Sequence, residues 1–216
     1  MSASRVVIIE NGGANLASLQ IALERLGCVP ILSGDASTIR AATHLILPGV
    51  GAAADAMTRL RAHALDKLIP TLQQPLLGIC LGMQLLYDAS EEGSTACLGA
   101  IPGAARRFIN APERPVPHMG WNQLRRTGSC ALLSEIEDGE YAYFVHSYAV
   151  PAGPATVAVS DYGEEFSAIV AHENFYGVQF HPERSGYTGA TVLRNFLALP
   201  PHPALSPQGG RGEGSH

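Results

Sequence analysis

Three times in roughly its first ninety residues, this chain runs through a short, continuously apolar segment, a tight turn and then a helical pattern. Val6-Val7-Ile8-Ile9 leads into Asn11-Gly12-Gly13, His44-Leu45-Ile46-Leu47 into Pro48-Gly49-Val50-Gly51, and Leu76-Leu77-Gly78-Ile79 into Cys80. Strands that are apolar on both faces belong inside a parallel sheet covered by helices. After the first turn Leu16, Leu19, Leu23 and Leu26 recur at helical spacing, with Asn15 as N-cap and Gly27 as the stop. A second strand is expected over 29–32 and helices over 52–68 and 81–87. The alternation implies right-handed βαβ units, and ligands of such sheets collect beyond the carboxyl ends of the strands, where all three turns lie.

From about Leu98 to Glu183 the texture changes to short apolar or aromatic runs broken by Gly, Pro, Asn and Asp. Segments 141–148, 155–159, 168–171 and 177–180 read as mixed or antiparallel strands extending the first sheet, with a closing helix over 191–199. The fold class is therefore α/β, a mixed, largely parallel open sheet flanked by helices. One domain over 1–199 fits the length, and 46% hydrophobic residues supply a full core. The stretch 200–216, rich in Pro, Gly and Ser, buries too little surface to order itself.

A net charge of −5 argues against a nucleic-acid coat or a membrane-surface helix, and the apolar start is too short for a signal segment or a membrane span. Cys28, Cys80, Cys97 and Cys130 show neither CxxC nor zinc-site spacing. No metal or cofactor is expected. A reducing cytoplasm is, and it leaves a thiol free to react.

That thiol is Cys80. Gly78-Ile79-Cys80-Leu81-Gly82 is the sulfur counterpart of the nucleophile elbow, whose crowded backbone demands small residues two before and two after the nucleophile. A helix starting there turns its amides toward the sulfur, favouring a thiolate, and the Leu81 N–H is placed to meet a developing oxyanion. A core cysteine with accidental glycines is the plain alternative, and the other three cysteines get that packing reading.

A thiol nucleophile wants an imidazole, and the imidazole an orienting acid. In Phe180-His181-Pro182-Glu183, at the end of an apolar run, an extended backbone would place His181 and Glu183 on one face. His44, His63, His172 and His202 lack such a pattern. Pro48-Gly49-Val50-Gly51 can turn a backbone amide toward a substrate carbonyl, or can be an ordinary turn.

Together, Pro48-Gly49-Val50-Gly51, Gly78-Ile79-Cys80-Leu81-Gly82-Met83-Gln84 and Phe180-His181-Pro182-Glu183 resemble the class I glutamine amidotransferases. Pro117-His118-Met119-Gly120-Trp121-Asn122 and Tyr143-Phe144-Val145-His146-Ser147-Tyr148 resemble the glutaminase subunits of imidazole glycerol phosphate synthases. The resemblance implies a flavodoxin-like glutaminase fold with Cys80 as the thioester-forming nucleophile, His181 as base and acid, and Glu183 as its orienter. It further implies oxyanion amides from Leu81 and the Gly49-Val50-Gly51 turn, and L-glutamine held by Gln84 and the Ser147-Tyr148 backbone. The implied partner is a (β/α)8-barrel cyclase of histidine biosynthesis that receives the ammonia, with Asn15, His118, Met119, Trp121 and Asn122 near the docking face. Two departures stand out. Glu10-Asn11-Gly12-Gly13-Ala14-Asn15 replaces the family's usual Asp-Tyr-Gly-x-Gly-Asn, and Ala53 stands where Phe is usual. The alternatives are a glutaminase serving another class I synthase and a catalytically silent regulatory subunit.

Overall fold

A computed structural model describes residues 5–12 and 16–201. Asn15 and residues 202–216 of the expected disordered tail lie outside the described residues. The first half alternates as expected: β1 (Val6–Ile9), α1 (Leu16–Arg25), β2 (Ile31–Ser33), α2 (Ala36–Arg40), β3 (His44–Gly49), α3 (Ala53–Ala62), the single turn α4 (Leu65–Leu68), β4 (Leu76–Cys80) and α5 (Leu81–Leu85). The second half is dominated by strands: β5 (Tyr87–Ser90), β6 (Thr95–Ala96), β7 (Ile101–Arg107), β8 (His118–Gln123), β9 (Arg125–Arg126), β10 (Tyr141–His146), β11 (Tyr148–Ala149), β12 (Thr156–Asp161), β13 (Glu165–His172) and β14 (Phe175–Val178), before α6 (Gly186–Leu197).

The main sheet runs β2-β1-β3-β4-β14-β13-β12-β9. It is parallel from β2 through β14 and antiparallel beyond. Alternation along one strand explains why it is covered twice. Val6 and Ile8 enter one core with Leu19, Leu23, Val192 and Phe196 from α1 and α6. Val7 and Ile9 enter the other with Met57, Leu60, Leu65 and Met83 from α3, α4 and α5. Helix α1 stops as expected: Gly27 has φ +79°, its N–H bonds to the Glu24 carbonyl, and the Cys28 N–H bonds to that of Leu23, a complete Schellman motif.

Several expectations need correction. The helix expected over 52–68 breaks at Ala64, which is left-handed at φ 54°. The helix expected over 81–87 ends at Leu85, and Tyr87 opens a strand instead. The strand expected over 141–148 divides at Ser147 between two sheets: β10 pairs with β8, and β11 with β7. The later strands therefore only partly extend the main sheet. β11-β7-β5-β6 forms a second sheet and β10-β8 a two-stranded ribbon.

Candidate active site

β3, β4 and β14 are parallel neighbours, with Gly49 opposite Cys80 and Val178 opposite Ile79. All three chains therefore leave the sheet at one edge, and the sequence motifs converge there.

Cys80 has φ 54° and ψ −113°, a sharp turn that an L residue adopts only under constraint, at a cost of order 1–3 kcal/mol. Close packing supplies the constraint. A Cβ on Gly78 would lie 2.7 Å from Met83 Cα, one on Gly49 would lie 2.5 Å from the Gly82 nitrogen, and one on Gly82 would overlap the Leu47 carbonyl oxygen. The glycines flanking Cys80 thus let the elbow press against β3. Gly51 differs: space around it is open, and its φ of +86° is what asks for glycine.

The Cys80 thiol is buried, donates to the Val145 carbonyl at 3.9 Å and accepts from Gln179 Nε2 at 3.8 Å. The His181 ring stands close enough for the sulfur to help raise its pKa. His181 Nδ1 lies 3.0 Å from Glu183 Oε1, with both side chains nearly fully buried. Burial alone would lower the His181 pKa; the hydrogen bonds and charges of Cys80 and Glu183 outweigh it and push it up to about 10. The pairing arises differently from expectation. β14 ends at Val178, and Pro182–Arg184 forms a 3-10 turn that curls Glu183 back under the ring. The His181 backbone is pinned, its N–H to the Tyr143 carbonyl at 3.0 Å and its carbonyl to Ser185 Oγ at 2.7 Å. Burial raises the pKa of Cys28, Cys97 and Cys130, Cys97 to about 11, which suits packing residues.

The sulfur opens onto a cleft of about 440 Å³ lined by Val50, Gly51, Leu81, Gln84, Ser147 and Tyr148 among others. Gly49 lies behind it, on a small void shared with Asn11, His181 and Glu183. The Gln84 amide nitrogen donates to the Tyr148 carbonyl at 2.7 Å and to Gln179 Oε1 at 2.9 Å. Sequence reading gave no site role to four residues that line the cleft or touch its side chains: Val145, Gln179, His146 and Glu92. Glu92 borders the cleft and accepts the Ala53 N–H at 2.8 Å. Only contacts made across the fold reveal them.

Four of the five residues expected near the docking face, His118, Met119, Trp121 and Asn122, fall on β8 but on two sides of it. Met119 and Trp121 are 66% and 55% exposed. His118 is instead buried, stacked between Phe144 and Tyr162, and the Asn122 amide is tied to the Asp161 carbonyl at 2.8 Å. The period-2 alternation of a strand carried that division in the sequence. Asn15 lies outside the described residues. His44 is a satisfied core histidine, bonded to Thr43 and to the Leu199 carbonyl. Among the described residues no group of His, Cys, Asp and Glu is arranged to hold a metal ion, and no helix is long and apolar enough to cross a membrane.

The family model for class-I glutamine amidotransferases matches residues 7–199. The imidazole glycerol phosphate synthase subunit HisH of Xylella fastidiosa (strain Temecula1) is 53% identical over 196 residues, 91% of this chain and 98% of that protein. The subunit of the same name from Xanthomonas axonopodis pv. citri is 52% identical over 194 residues, 90% of this chain and 97% of its own. Among solved structures, a glutamine amidotransferase from Thermotoga maritima matches with a TM-score of 0.64 at 16% identity, covering 90% of this chain and 96% of that one. PurLQS from the same organism matches with a TM-score of 0.67 at 21% identity, covering 90% and 97%. At those identities the structures speak for the fold. Motifs, fold and relatives agree: the chain belongs to the class-I glutamine amidotransferases, in the group of the imidazole glycerol phosphate synthase HisH subunits.

Proposed function

We propose that this chain hydrolyses L-glutamine at Cys80 and delivers the ammonia to a (β/α)8-barrel cyclase that makes imidazole glycerol phosphate. The observation that carries the reading is a thiol on a constrained elbow, lining one cleft with an imidazole whose Nδ1 meets a buried carboxylate.

The sulfur attacks the side-chain carboxamide carbon while its proton resides on His181. The resulting oxyanion takes N–H bonds from Leu81 and the Gly49-Val50-Gly51 turn, each donor contributing about 2.7–4 kcal/mol to the transition state. His181 then protonates the departing nitrogen, ammonia leaves, and a glutamyl thioester remains on Cys80. Water, deprotonated by His181, hydrolyses the thioester to glutamate and restores the thiol. Glu183 keeps the ring in the tautomer these transfers need. With the Gln84 nitrogen donating to protein acceptors, its oxygen is the end left for the substrate, while Glu92 offers a carboxylate to the α-ammonium group.

The test is Cys80→Ala in the two-subunit complex. Glutamine-dependent synthesis should disappear, and synthesis from added ammonium salt should persist near the native rate. Loss of both activities would assign Cys80 a structural role instead.

A further inference from the structure

Two buried imidazoles, His118 on β8 and His146 on β10, take no part in the reaction just described. They stand opposite each other across the ribbon, with His118 Nδ1 3.1 Å from His146 Nε2. Each end of this pair meets a group of fixed polarity. His146 Nδ1 lies 2.8 Å from the Tyr148 carbonyl oxygen, which can only accept. At the far end the Asn122 amide is oriented by its own neighbours: Oδ1 accepts the Gln123 N–H at 2.8 Å and Nδ2 donates to the Asp161 carbonyl at 2.8 Å. Nδ2 is therefore also what faces His118 Nε2, 3.4 Å away.

Working inward from either end gives the same proton arrangement. The carbonyl requires His146 to carry its proton on Nδ1, so His146 Nε2 accepts and His118 Nδ1 donates. The Asn122 N–H requires His118 Nε2 to accept, which again leaves the proton on Nδ1. Burial holds both rings well below the usual histidine range, so one proton each is the state at neutral pH. Phe144 and Tyr162 sandwich His118, and Phe108 and Phe166 pack against His146, so neither ring can swing away.

We propose that His118 and His146 are positioning residues for glutamine, a one-directional hydrogen-bond row from Asn122 that fixes the Tyr148 carbonyl and with it the 147–148 wall of the cleft. This rests on reading the cleft as a glutamine site. The Tyr148 oxygen receives two donors, His146 Nδ1 and Gln84 Nε2, which occupies both lone pairs and stops the peptide from rotating. The Ser147 carbonyl is likewise held by the Phe108 N–H at 3.0 Å. Losing the row leaves a buried His146 nitrogen without its donor and the wall free to turn, so the loss falls on substrate binding before chemistry.

Two substitutions separate positioning from packing. His118→Asn keeps a donor near the Nδ1 position but leaves a hole; His118→Phe keeps a ring between Phe144 and Tyr162 but no donor. In the two-subunit complex, His118→Phe should raise the KM for glutamine about tenfold with a smaller change in kcat, and His118→Asn should stay within about twofold of native. The reverse order would mean that His118 only fills space and would overturn the proposal. A native complex that hydrolyses no glutamine would instead sink the reading of the cleft, and the positioning role with it. Should either variant fail to fold, two-bond ¹H–¹⁵N spectra of the native protein decide. Both rings should show the Nδ1–H tautomer at pH 7, and an Nε2–H tautomer or an imidazolium at either position would overturn the row.

Discussion

At the scale of single residues, the site depends on how His181 is held between two groups that both favour its protonated form. Its pKa, pushed up to about 10 against an ordinary 6.5, ties folding to pH in a definite direction. The folded state holds this proton more tightly than the unfolded chain, so the stabilisation is fully present below about pH 6.5 and is lost as pH rises toward 10. Glu183→Gln keeps an acceptor for Nδ1 and removes the charge. The His181 pKa should fall, the alkaline limb of the glutaminase pH profile should move to lower pH, and kcat should drop by roughly 10²–10⁴. Superimposable profiles for native and variant would show that Glu183 does not orient the ring.

At the scale of elements, the decisive contact is between the end of β3 and the elbow that opens α5. Gly82 and Gly51 are glycine for different reasons, and the reasons predict different failures. A Cβ at Gly82 overlaps the Leu47 carbonyl, so Gly82→Ala should separate β3 from the elbow and lower Tm by roughly 10 °C or prevent folding altogether. Gly51→Ala meets open space but a φ of +86°, which costs about 1–2 kcal/mol; it should fold, lose a few degrees and hydrolyse glutamine poorly. Unfolding curves with glutaminase rates would check both, and a native-like Gly82→Ala would remove the close contact from the account. The same contrast marks what was legible in the sequence. β1, β3, β4 and the elbow were readable because buried parallel strands are apolar on both faces and a crowded turn demands glycine. The split at Ser147 and the sheet built from β5, β6, β7 and β11 were not, since strand pairing is decided by tertiary partners that no local pattern names. In the site, the Cys80 and His181 motifs were local and visible. Gln179 and His146 act through contacts with residues far away in the chain, and the burial of His118 follows from a strand, β8, that the sequence reading did not assign.

For the whole molecule, the proposed function asks how a partner would reach ammonia released at the buried Cys80 sulfur. The β8–β10 ribbon supplies a geometry. Its outer face carries the exposed Met119, Trp121 and Tyr141, with Trp121 opposite Tyr143 and Met119 opposite Val145, and Val145 also borders the cleft and accepts from the Cys80 thiol. An apolar surface exposed on one side and touching the reactive centre on the other is where a docking subunit would both hide hydrophobic area and meet the product. Trp121 is the chain's single tryptophan, so its emission reports on that face alone. If the ribbon is the docking face, adding the cyclase should shift Trp121 emission to shorter wavelength as water leaves the indole. Trp121→Ala should weaken the complex at least about tenfold, the scale of a buried aromatic anchor. The variant's fold should be unchanged, because the indole packs mainly against the Tyr143 ring at 5.9 Å. Unaltered emission together with native affinity in the variant would place the partner on another surface and leave the ribbon's apolar face without this explanation.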